Sequence, residues 1–92
     1  MNEHDNLIAT LLELGNNSEE VANNLAMQGI KGESRSSISC PIANYLTSKG
    51  YKLVRVSGWI SIDDGRIACQ IPTDVARFIA RFDTGVYPNL KQ

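Results

Sequence analysis

The chain has 92 residues, 42% of them hydrophobic and 21% charged, and its nine Lys and Arg against ten Asp and Glu leave a net charge of −1. That length holds one domain, the composition argues against disorder, and the balanced charge supplies no global field to draw in nucleic acid or an anionic membrane. No apolar run approaches the roughly 20 residues that span a bilayer, and the acidic start MNEHDN is unlike a secretory signal. Cytoplasmic residence without membrane contact is the expectation.

Residues 5–14, DNLIATLLEL, place Leu7, Ile8, Leu11, Leu12 and Leu14 at spacings of three and four, which predicts a helix capped by Asp5 or Asn6 and stopped at Gly15. The stretch from Ser18 to Gly29 predicts a second helix. Ser18 is its expected cap, Glu19 and Glu20 favour the first turn, and Gly29 suits the left-handed position beyond its end. The short GNN turn between the two implies a helical hairpin. Residues 29–39, with two glycines and four serines, read as a loop. Pro41 fits the first turn of a third helix ending near Gly50, with Cys40 at its cap.

The period then changes from helical to alternating. YKLVRVS predicts a strand with Leu53 and either Val54 or Val56 inward. GWISIDDGRIACQI predicts a hairpin about an Asp64-Gly65 turn, with Ile60, Ile62, Ile67, Cys69 and Ile71 alternating around it. Thr73 is the expected cap of a last helix, in which Val75, Phe78, Ile79 and Phe82 form a core stripe. VYPNL is expected to lie on the surface after it. The predicted fold class is α+β: a helical hairpin plus a third helix, a small three-stranded antiparallel sheet and a C-terminal helix, in the order α-α-α-β-β-β-α.

The phrases SEEVANNLAMQGIKGE, CPIANYL and RFDTGVYPNL resemble those of small uncharacterised bacterial proteins of about this size, over roughly residues 18–90. The resemblance implies no activity, and no functional residue is carried over from it.

Four places in the sequence bear on function. Cys40 at a helix start has the backbone setting that lowers a thiol pKa, but a cysteine hydrolase needs a base and the single histidine, His4, lies near a terminus. A buried structural cysteine is the expectation, for Cys69 as for Cys40. No catalytic residue, metal site or cofactor is expected, and Asp63-Asp64 is read as turn chemistry. Lys31, Ser34, Arg35, Ser36, Ser37, Ser39 and Cys40 gather before the third helix. Their hydroxyls, cations and backbone N–H groups suit a small phosphate-bearing ligand.

The run SRSSISC following EEVANNLAMQG suggests the recognition helix of a winged-helix DNA-binding domain. Pro41 would then interrupt that helix, and Asp63 and Asp64 would repel phosphates from the wing tip. The last helix carries Arg77 and Arg81 opposite its apolar stripe, and Trp59 follows Gly58 between two strands. These three residues are candidate partner contacts. The expected alternative for the arginines is a solvated face, and for Trp59 the core. The leading expectation is a non-catalytic binding domain whose partner is another protein or itself, as a possible homodimer.

Overall fold

The computed structural model describes residues 3–92. It contains four helices and a three-stranded antiparallel sheet: α1 (Glu3–Leu12), α2 (Ser18–Met27), α3 (Pro41–Ser48), β1 (Arg55–Val56), β2 (Trp59–Ile62), β3 (Ile67–Gln70) and α4 (Thr73–Asp83), then a 3-10 turn (Pro88–Leu90). This is the α+β order read from the sequence.

Each helix buries one stripe. Leu7 and Leu11 of α1, Val21 and Leu25 of α2, Ile42, Tyr45 and Leu46 of α3, and Val75, Phe78 and Phe82 of α4 meet in one core. Fully burying a side chain of this size contributes about 1.5–3 kcal/mol, so these stripes dominate the folding free energy. Phe78 is the hub of the aromatic packing, stacked 5.9 Å from Phe82 and 5.4 Å from Tyr87.

The helical hairpin is looser than expected. α1 lies mainly against β3 and α2 against α4, so neither of the first two helices is the other's principal neighbour. The caps shift as well. Asp5 and Asn6 lie inside α1, which already includes Glu3. Asn17 rather than Ser18 caps α2: its Oδ1 accepts the Glu20 N–H at 2.9 Å, while Glu20 Oε1 accepts the Asn16 N–H at 2.8 Å. That reciprocal pair leaves Ser18 free to be buried, where its Oγ takes an Arg81 Nη1 donor at 2.6 Å. Thr73 is the first residue of α4, and Pro72 precedes it without a side-chain cap.

The sheet runs in the order β1-β2-β3. Val56 pairs with Ile60 and Ile60 with Cys69, and all three point into the core; Ile62 beside them is buried as well. The first strand is shorter than residues 51–57 because Leu53 adopts φ +50. A left-handed residue breaks the pleat and turns its side chain outward, so Leu53 is exposed while Val54 and Val56 are both buried. The hairpin loop between Ile62 and Ile67 is residues 63–66, centred on Asp64 and Gly65 as expected. Its first turn has Asp63 and Asp64 in the middle, at φ +53 and +59, and the Gly65 N–H donates to the Ile62 carbonyl at 3.1 Å. Left-handed φ at both of these positions is what a type I′ turn requires, and aspartate tolerates it.

The C-terminal segment is part of the core, contrary to the surface placement expected of VYPNL. Tyr87 and Leu90 are buried, the Gly32 N–H donates to the Leu90 carbonyl at 2.9 Å, and the Gln92 N–H donates to the Gly32 carbonyl at 2.9 Å. No helix among the described residues is long and apolar enough to cross a membrane.

Candidate functional site

Cys40 and the loop before it form the first candidate site. Residues 28–40 separate α2 from α3, and residues 34–39 are turns and extended backbone with no helical hydrogen bonding. The recognition helix expected from Ser34 is therefore not formed, and the separation exceeds the 3–4 residues of a helix-turn-helix.

The loop is tied down by its own polar groups. The Arg35 N–H donates to Asp83 Oδ1 at 2.8 Å, the Ser39 N–H to Ser36 Oγ at 3.0 Å, and the Glu33 N–H to the Ser39 carbonyl at 2.8 Å. Asn44 Nδ2 spans the Lys31 and Ser39 carbonyls at 2.7 and 3.2 Å. Arg35, Ser36, Ser37 and Cys40 line a shallow groove with Val56, Ser57, Ile79 and Asp83. Lys31, Ser34 and Ser39 of the expected anion site fall outside it. The Glu33, Arg35 and Ser39 N–H groups of this loop are taken by the protein, and Asp83 sets a negative charge in the groove.

Cys40 caps α3 as expected, with Sγ accepting the Ala43 N–H at 3.4 Å. Burial pushes its thiol above the ordinary value, and the Asp83 charge adds to the rise. The Ala43 and Ile42 backbone donors pull the other way without overcoming burial. Burial raises the Cys69 thiol too, and both cysteines are free and buried. Such a thiol holds its proton at neutral pH and makes a poor nucleophile.

The second candidate site is one the sequence indicated through Trp59 alone. Trp59 is 56% exposed, not in the core. The alternation explains this: with Ile60 and Ile62 inward, Trp59 and Ser61 must face outward. The outward row Arg55–Ser61–Ala68 runs across all three strands beside the Trp59–Gln70 pair. On one side of this face, Ile38 and Leu53 line a groove with Arg55, Ser61 and Asp64. On the other, Ile8 and Leu12 of α1 line a groove with Trp59, Ala68 and Ile71. Among the described residues, Leu12, Ile38, Leu53 and Trp59 are four of six large apolar side chains left exposed, at 56, 63, 69 and 56%. Their gathering on one face is what separates this surface from scattered apolar exposure. Leu53 is held there at a conformational cost of about 1–2 kcal/mol for a left-handed L-residue.

Arg77 and Arg81 do not join this face. Arg77 stands exposed on α4, whereas Arg81 is occupied in binding Ser18 and lies 3.9 Å from Glu19. Glu19 also accepts the Tyr87 hydroxyl at 3.2 Å. Arg81 is thus a clasp between α4 and α2, closed by the C-terminal segment. No group of three metal-ligating side chains occurs among the described residues.

Fold and site together define a small α+β domain with one open, apolar-flanked sheet face. The chain matches no family model, and no curated protein or solved structure aligns with it.

Proposed function

We propose that this domain works by binding another protein chain through the open face of its sheet, without catalysis of its own. The observation that carries the reading is the convergence of Leu12, Ile38, Leu53 and Trp59 on the outer side of β1, β2 and β3. Removing such side chains from water favours association by about 25 cal/mol per Å2 of apolar area, and tryptophan is enriched among the residues that carry most of an interface's binding energy. The free, buried thiols of Cys40 and Cys69 suit a reducing, cytoplasmic setting. The competing expectations have less support. Duplex DNA capture lacks its recognition helix, and a phosphate ligand at residues 31–39 would meet the negative charge of Asp83.

Replacing Trp59 or Leu53 in turn by a photo-crosslinking amino acid in living cells tests the reading, with Arg77 as the control position. Protein adducts from positions 59 and 53 but not from 77 are expected. Their absence from both face positions would overturn it.

A further inference from the structure

We infer that the chain's own second copy is the protein that covers the sheet face, in a two-fold dimer where Arg55 of each copy meets Asp64 of the other. The inference rests on the partner-face reading above and specifies its occupant.

Three observations carry it. First, the sheet offers its face and not its edges. The Val56 N–H on β1 is already used by the Ser37 carbonyl at 2.7 Å, and α1 lies along β3. A partner therefore packs on the sheet and does not extend it. Second, the charges of the face complement each other. Arg55 and Asp64 line the same groove with Ile38 and Leu53, both are exposed, and neither has an ion pair among the described residues. The neighbouring Asp63 and Arg66 are already paired with one another at 2.7 Å. A patch holding one unpaired charge of each sign matches itself after a two-fold rotation, because in such an interface residue i meets j and j meets i.

Third, the dimensions agree. A stable interface takes about 800 Å2 from each partner, roughly a seventh of the 5357 Å2 the molecule exposes. A patch of that area reaches about 16 Å from its centre. With the axis at the Leu53 groove, Ser61 lies beside it, and Trp59 follows two residues along the strand, about 7 Å away. Both grooves flanking the sheet thus fall within one interface. Leu53 and Ile38 sit at its middle, Arg55 and Asp64 cross on either side, and Trp59 and Leu12 close the far end.

Sedimentation equilibrium of the wild-type chain, Arg55→Asp and Asp64→Arg, each alone and the two mixed, tests the inference. The wild type is expected to dimerise with rising concentration. Each variant alone places like charges at both crossings and should dimerise at least tenfold more weakly. The mixture restores both pairs and should form heterodimers about as readily as the wild type, a result only folded variants give. A monomeric wild type at millimolar concentration overturns the inference, as does a dimer indifferent to both reversals. If a monomeric chain still forms crosslinks from position 59, to a different protein, the second copy is excluded as occupant while the partner-face reading stands. Absence of crosslinks removes both.

Discussion

Leu53 occupies left-handed backbone at the lip of the sheet face with its side chain in water, an arrangement that lowers the stability of the isolated chain. Asparagine tolerates the same φ with less strain. Leu53→Asn should therefore raise the free energy of unfolding by about 1 kcal/mol, read as a higher urea midpoint, while weakening self-association. A lower midpoint would mean that Leu53 supports the fold from within. The thiols give a second test at the same scale. Cys40 and Cys69 hold their protons more tightly when folded than when unfolded, because burial disfavours the thiolate. As pH climbs past about 9, the ordinary thiol value, the unfolded chain releases protons first and stability falls. Burial moves Tyr45 in the same direction at higher pH. Urea midpoints should thus be level near neutrality and decline above about pH 9; a rise there would contradict the assignment. Alkylation of Cys40 in the native protein should be slower than in urea, whereas equal rates would mean an exposed thiol.

Among the elements, the residue 31–39 loop approaches the start of α3 closely at Gly32. A Cβ added at Gly32 would lie 2.5 Å from the Cys40 carbonyl carbon and the Ser39 carbonyl oxygen, and closer still to the Pro41 nitrogen. Backbone atoms cannot swing aside as a side chain does. Gly32→Ala should cost about 3 kcal/mol, seen as a large drop in urea midpoint with an unchanged m-value. Tolerance of the substitution would show that the loop moves freely. The sequence made some elements legible and hid others for physical reasons. The stripes of α2, α3 and α4 were readable because the spacing of Val21 and Leu25, of Ile42 and Leu46, and of Val75, Phe78 and Phe82 matches a helical face. Leu53 misled because a strand pattern presumes β backbone, whereas this residue adopts a left-handed φ. Ser18 misled because Asn17 beside it caps equally well, and burial under Arg81 decided between them. VYPNL read as surface because only the pairing of Gly32 with the C-terminal segment carries Tyr87 and Leu90 into the core.

At the scale of the whole molecule, a 92-residue chain has little core to spare for function. This one covers one face of its three-stranded sheet and leaves the other bare between α1 and the Ile38–Leu53 groove. Nothing in composition or net charge announces that face, since its apolar residues come from four separate segments of the chain. Only Trp59 among them was singled out from the sequence; the other three became candidates once the fold brought them together. Trp59 is also the single tryptophan, so its emission reports the state of that face without a label. The most direct test is acrylamide quenching of Trp59 in dilute and in concentrated solutions of the unmodified protein. A second copy seated on the sheet shields the indole, so quenching should weaken as concentration rises and recover in Arg55→Asp at the same concentration. Quenching that stays equally strong at every concentration would contradict a dimer closed over this face.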